Sequence, residues 1–130
     1  MRVLIADDQP EVRSSLQLLL EQLPNVTVVG EATGAGDLLA QVSVSCPDLV
    51  LLDWELPGLR ATEHLPMLRE RCSRSLVIVL SSRPEQQEAA LATGVDSFVS
   101  KGEAPEHLLA AVSDCFHKLH VHGDEGSQET

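Results

Sequence analysis

The sequence predicts an α/β fold in which an open, doubly wound sheet of five parallel strands carries five helices on its two faces. Three observations lead there. Short apolar runs alternate with longer amphipathic ones as far as about residue 120. Three of the short runs lack the polar alternation of a half-exposed strand, so they read as strands buried on both faces. Prolines and a glycine fall where helices would begin and stop: Pro10, Pro84 and Pro105 at or beside starts, Gly94 at an end.

The elements follow in order. A first strand over Arg2 to Ala6 (RVLIA) leads to a helix from Glu11 to Leu23, with Val12, Leu16, Leu19, Leu20 and Leu23 at helical spacing. A second strand covers Val26 to Gly30 and a second helix roughly Ala35 to Val44. The third strand, Asp48 to Asp53 (DLVLLD), precedes a helix over Thr62 to Cys72, in which Pro66 removes a backbone bond and calls for a late start or a kink. The fourth strand is Leu76 to Leu80, followed by a helix from Pro84 to Thr93. The fifth is Ser97 to Val99, followed by a helix from Pro105 to His120. The first, third and fourth strands are the uninterrupted apolar ones and belong in the middle of the sheet. The second and fifth, shorter or more mixed, belong at its edges. No repeat of solenoid length occurs.

A chain of 130 residues is one domain's worth. The expected organisation is a domain over residues 1–120 and a polar, flexible tail over 121–130 (VHGDEGSQET). Hydrophobic residues are 43% of the chain and aromatics 2%, so the core must be built from Leu, Val, Ile and Ala. A net charge of −11, from 20 acidic and 9 basic side chains, argues against direct nucleic acid binding by this chain, because gripping a phosphate backbone takes clustered Lys and Arg. The opening apolar run, about five residues before two aspartates, is too short for a signal-peptide core or a membrane span. Cys46, Cys72 and Cys115, odd in number and outside any metal-ligand spacing, read as reduced thiols of a cytoplasmic protein. The five histidines have no carboxylate or cysteine at ligand spacing, and no Gly-rich phosphate loop is present.

In an open parallel sheet the ligand site lies beyond the carboxyl ends of the strands. The residues there are Asp7 and Asp8 after the first strand, Asp53 closing the third, Ser81 after the fourth and Lys101 after the fifth. Taken singly, an Asp after a strand is ordinarily a cap or turn residue and a Lys is ordinarily solvated. Three carboxylates gathered at one sheet end repel, and a hard divalent cation such as Mg²⁺, which prefers oxygen ligands, would relieve that repulsion. With a cation and the Lys101 ammonium neutralising phosphoryl oxygens, one carboxylate can act as a phosphoryl acceptor. Asp53 is the preferred acceptor because it ends a buried strand at the middle of the site, leaving Asp7 and Asp8 to hold metal.

The segments VLIADD, LVLLDWELPG, VIVLSS and GVDSFVSK, in this order and spacing, resemble the receiver domains of two-component response regulators from Met1 to about Leu119. The VVGEA and SKGEAPEHLLAAV segments resemble receivers that precede a helix-turn-helix output domain, although nothing after residue 120 reads as such a domain. The resemblance implies a flavodoxin-like fold with strand order 2-1-3-4-5. It implies that Asp53 takes a phosphoryl group from a sensor histidine kinase or phosphotransfer protein. Asp8 would ligate Mg²⁺ directly, Asp7 largely through water, and Glu55 would lend its backbone carbonyl. Ser81 would donate to the phosphoryl group, Lys101 would pair with it, and Phe98 would swing inward on activation, or else be plain core. It further implies a downstream effector or linked output domain, no membrane association, and a phosphorylation-dependent homodimer.

The chain departs from the family pattern at four places. Gly102 stands where Pro commonly follows the lysine, so that loop is expected to be looser. Ser82 stands where a small apolar residue is common, and Arg60 and Ala61 replace the usual Asp-Gly before the third helix. Glu55 and Arg83 occupy the two positions linked to the lifetime of the phosphorylated state, and a salt bridge between them would slow water's approach. Two other function classes were weighed against the switch. A small Mg-dependent phosphohydrolase would use an aspartyl-phosphate intermediate, with Glu55 at acid/base spacing, but 130 residues leave no room for a substrate cap. A phosphorylation-independent interaction module should lack one of the five site residues, and none is lacking.

Overall fold

Strand β1 (Arg2–Ala6) is four residues of uninterrupted burial after an exposed Arg2, which is what an apolar run without polar alternation produces in the middle of a sheet. The computed structural model describes the backbone of residues 1–129 and the side chains of residues 1–120; the expected tail over 121–130 lies outside the fully described residues. After β1 come α1 (Pro10–Leu20), β2 (Thr27–Ala32), α2 (Ala35–Ser45), β3 (Leu49–Asp53), α3 (Ala61–Arg71), β4 (Leu76–Ser81), a single 3-10 turn (Pro84–Gln86) running into α4 (Gln87–Ala92), β5 (Ser97–Ser100) and α5 (Pro105–Glu129). All strand pairs are parallel, in the order β2-β1-β3-β4-β5, so the second and fifth strands form the edges as the sequence predicts.

The strands' alternating side chains feed two cores. Leu4, Val50, Leu52, Val77 and Val79 meet Leu38, Leu39 and Val42 of α2, Leu65 and Leu68 of α3, and Ala90 of α4. Val3, Ile5, Leu49, Leu51, Ile78, Leu80 and Val99 meet Leu16 and Leu20 of α1 and Leu108, Val112 and Cys115 of α5. Helices α1, α2, α3 and α5 offer their apolar residues at three- and four-residue spacing, so a narrow stripe suffices to cover the sheet, and the short α4 adds Ala90 alone. Helices α2, α3 and α4 therefore lie on one face, α1 and α5 on the other.

Three expectations are corrected. Helix α1 ends at Leu20 rather than Leu23: the N–H groups of Gln22 and Leu23 turn to Leu19 and Leu20 by tighter bonds, Pro24 disfavours helix at the residue before it, and Asn25 takes a positive φ of 66°. Helix α3 does not start late, but runs continuously from Ala61 to Arg71 with Pro66 inside it. The backbone bond Pro66 cannot make would go to Thr62, an exposed position where water can serve the carbonyl. Cys46 and Cys72 are joined as a disulfide, with Cα atoms 5.6 Å apart, instead of standing as free thiols. They cap the C-termini of α2 and α3, neighbours on the same face that end at the same sheet edge, a proximity that a sequence separation of 26 conceals. Cys115 is free and buried, and burial, reinforced by Asp96, pushes its thiol up to about 11, so it remains protonated and unreactive.

No helix among the described residues is long and apolar enough to cross a membrane. Closing a loop of this length with a disulfide stabilises by about 3 kcal/mol. Reduction by dithiothreitol is therefore expected to lower the urea midpoint of the wild type and to leave that of Cys46→Ser unmoved; equal midpoints with and without reductant in the wild type would contradict it.

Candidate functional site

The parallel order places the carboxyl ends of β1 and β3 side by side, with Ala6 paired to Leu52, so the residues that follow, Asp7 and Asp53, are neighbours by register alone. Both are buried, with 1% and 2% of their surfaces exposed, while Asp8 beside them is exposed. One carboxylate oxygen from each of Asp7, Asp8 and Asp53 lies within 4.8 Å of the others. Lys101 reaches over from the end of β5, its Nζ 2.9 Å from Asp7 Oδ2 and 3.3 Å from Asp53 Oδ1. Its own N–H donates to the Ser81 carbonyl at 2.7 Å, and Glu103 N–H to Ser100 at 3.0 Å, so backbone bonds fix the lysine despite the Gly102 that follows it.

Backbone N–H groups complete the carboxylates' coordination: Gln9 donates to Asp7 Oδ1 and Glu55 to Asp53 Oδ1, each at 2.9 Å. Arg13, held by Glu31 at 2.9 Å, donates to the Asp7 carbonyl at the same distance. Burial is the strongest influence on Asp53 and pushes its pKa above the ordinary value; the Asp7 charge adds to this, while the Glu55 N–H and Lys101 oppose it. Burial works against the Lys101 ammonium as well, but the hydrogen bond it donates to Asp7 and the charges of Asp53 and Asp7 outweigh it, and its pKa is held above that of free lysine. One ammonium thus serves two buried carboxylates, and a third, Asp8, approaches from the rim without contacting it. Three hard oxygen donors converging with a single cation among them suit a divalent ion such as Mg²⁺.

Ser81 closes β4 with no exposed surface. Its Oγ donates to Glu55 Oε2 at 2.8 Å and accepts the Arg83 N–H at 3.0 Å. The other Glu55 oxygen, Oε1, accepts the N–H of Ser82 at 3.1 Å and its hydroxyl at 3.0 Å. Desolvation acts to raise the Glu55 pKa, but the bonds from Ser81 and Ser82 outweigh it and keep the carboxyl below its ordinary value. The expected Glu55 to Arg83 salt bridge does not form: the serines occupy the carboxylate, and among the described residues Arg83 has no ion-pair partner. Phe98 sits half-buried on the edge strand against the core beneath α2, α3 and α4, and lines a surface cavity with His107 and Asp114. Trp54 is half-buried beside Asp53, and its N–H donates to the Leu80 carbonyl at 2.8 Å.

The structure therefore brings Asp7, Asp8, Asp53 and Lys101 together, ties Ser81 to Glu55, and sets Arg83 and Phe98 apart from the carboxylates. Ser82 as a partner of Glu55 was not foreseen; a hydroxyl and an N–H two loops away leave no signal in spacing. Arg13 went unnoticed because an arginine on an amphipathic helix reads as solvated.

The pattern of the response regulator receiver domain family matches residues 3–113. The nitrate/nitrite response regulator protein NarL of Escherichia coli K12 is 36% identical over 112 residues, which are 85% of this chain and 52% of NarL. Among solved structures, the signal receiver domain of the putative response regulator NarL from Mycobacterium tuberculosis is 29% identical with a TM-score of 0.77, covering 88% of this chain and 94% of that one. RcsB of Salmonella enterica serovar Typhimurium, bound to promoter rprA in the presence of phosphomimetic BeF3-, is 27% identical with a TM-score of 0.81, covering 90% of this chain and 60% of that one. The chain spans about half the length of the curated relatives it matches.

A raised carboxyl pKa in the folded state means that the native protein binds more protons than the unfolded chain in the window above the ordinary carboxylate value, so stability falls as pH rises through it. Metal-free Asp53→Asn, which carries no charge there, is expected to melt above the wild type at pH 7, and the gap should close on acidification below that window. A gap that did not change with pH would contradict the assignment.

Proposed function

Because the chain belongs to the response regulator receiver domain family, we propose that it is a phosphorylation switch in which Asp53 accepts a phosphoryl group from the phosphohistidine of a sensor kinase or phosphotransfer protein. The observation that carries this reading is the convergence of Asp7, Asp8 and Asp53 with Lys101 bridging two of them. In the transfer an O–P bond to Asp53 forms as the P–N bond of the donor breaks. Asp53 is the acceptor of the three because it is buried, held by the Glu55 N–H and in contact with the lysine. Lys101 is placed to meet a phosphoryl oxygen while keeping Asp7.

Asp8 and Asp53, with Asp7 largely through water and the Glu55 carbonyl, would hold Mg²⁺, which supplies charge neutralisation for the phosphoryl oxygens. Ser81 would then turn its hydroxyl to the phosphoryl group and Phe98 would move inward, altering the face made by β5 and its flanking helices for an effector, a linked output domain or a second copy. Glu55 and Arg83, which no salt bridge joins, would tune the lifetime of the acyl phosphate separately. The chain promotes only its own phosphorylation and dephosphorylation, and it acts in the cytoplasm.

Acetyl phosphate with Mg²⁺ is expected to raise the intact mass by one phosphoryl group, to leave Asp53→Ala unlabelled, and to label Lys101→Ala about 100-fold more slowly. Trp54 fluorescence should respond to Mg²⁺ and then to beryllofluoride. Silence of the wild type in both assays, or sustained turnover of phosphomonoesters, would overturn the reading.

A further inference from the structure

We propose that the Glu55 side chain is a latch that holds the Ser81 hydroxyl out of the acceptor pocket, with Ser82 as its second catch, and that opening this latch is the step phosphoryl binding must drive. The inference rests on the proposed function and concerns how that site is regulated.

A serine hydroxyl has one hydrogen to donate. In this structure the nearest acceptor for that hydrogen is Glu55 Oε2 at 2.8 Å, with the Arg83 carbonyl a longer alternative at 3.4 Å, while the Ser81 lone pairs accept the Arg83 N–H at 3.0 Å. A Ser81 engaged in this way cannot donate to a phosphoryl oxygen on Asp53. The two bonds are mutually exclusive, so the hydroxyl has two states rather than a continuum.

Glu55 is equipped to compete for that hydrogen. As a carboxylate it makes charge-assisted bonds, stronger than those of a neutral acceptor. Its second oxygen is tied to the Ser82 N–H and hydroxyl, which orients the first toward Ser81. Three donors from two consecutive residues at the end of β4 thus converge on one side chain from the loop after β3. The residue also touches both halves of the switch, since its N–H donates to Asp53 Oδ1 while its carboxylate grips Ser81.

Phosphorylation would act on this arrangement by charge. It places additional negative oxygens on Asp53, one residue removed from Glu55, where they repel the Glu55 carboxylate and offer Ser81 a competing acceptor. Releasing Ser81 costs the latch its bonds, and that cost is subtracted from the binding of any phosphoryl group that needs the hydroxyl. Glu55 is in these terms a positioning residue for Ser81. Ser82, an otherwise unexplained departure from a small apolar residue, gains a function as the second catch.

Beryllofluoride binding at saturating Mg²⁺, measured by calorimetry on the full chain, tests this. Glu55→Ala is expected to bind about tenfold more tightly than the wild type, the equivalent of one charge-assisted hydrogen bond no longer broken. Ser82→Ala, which leaves Glu55 and Ser81 in place, should shift affinity in the same direction by less. In a Ser81→Ala background the Glu55→Ala gain should vanish, a dependence that a merely structural role for Glu55 would not produce. Binding by the wild type with equal or weaker binding by Glu55→Ala, or a Glu55 effect that persists without Ser81, overturns the latch alone. No binding by the wild type overturns the phosphoryl-acceptor reading and the latch with it.

Discussion

Asp7 and Asp53 are buried side by side with one ammonium between them, and much of the architecture at the carboxyl edge of the sheet can be read as managing that charge. Buried carboxylates are costly unless they are paired or hydrogen-bonded. Each therefore receives a backbone N–H from two residues downstream, and both share Lys101. The sheet order sets how far the lysine must reach, because β5 is separated from β3 by β4 and lies still further from β1. A long, flexible side chain can span that distance from a backbone pinned to Ser81. The pairing remains incomplete: a third carboxylate, Asp8, approaches from the rim, and burial still holds Asp53 above its ordinary pKa. A site with this surplus of negative charge is prepared to take up positive charge, and its balance is sensitive to any change at Asp53.

Much of this was legible in the sequence, for a definite reason. Strands buried on both faces must be apolar throughout, so RVLIA, DLVLLD and LVIVL could be placed at the centre of the sheet from composition alone, and the residues just beyond them followed. Parallel pairing then gathers Asp7, Asp53, Ser81 and Lys101 at one edge whatever the details of the loops. What stayed hidden depends on where loops and helix ends meet in space. The Cys46 to Cys72 bond joins two helix C-termini, and thiol count and spacing carry no information about that meeting. The end of α1 was placed too late because Leu23 continues the apolar spacing, whereas Pro24 and the positive φ of Asn25 govern the backbone. Glu55 and Arg83 were paired because opposite charges attract. The serines nearer to Glu55 took its oxygens first.

That last substitution of partners changes the character of the site. A salt bridge over the acceptor would be a static shield, exposed and worth little. A carboxylate bonded to Ser81 is instead a competitor for the same hydroxyl that a phosphoryl group would use. The loop after β3 and the loop after β4 are coupled through the three bonds that Ser81 and Ser82 give Glu55, and the state of one constrains the other.

The two edges of the sheet are built for opposite purposes. At the amino edge, Arg2 donates through its guanidinium to the Ser45 and Cys46 carbonyls, Asp48 accepts the Arg2 N–H at 2.7 Å, Ser75 donates to the Pro47 carbonyl, and the disulfide ties α2 to α3. Bonds to backbone groups and a disulfide close that edge. At the carboxyl edge the bonds run between ionised groups whose balance one phosphoryl group would overturn. Closely packed layers between the edges resist continuous deformation. On the proposed reading, a charge change at Asp53 would be expressed where the bonds can be exchanged, in the loops after β3, β4 and β5, rather than spread through the core. The motion would then be local and directed toward the β4–β5 side of the molecule, the side on which Ser81, Lys101 and Phe98 all lie.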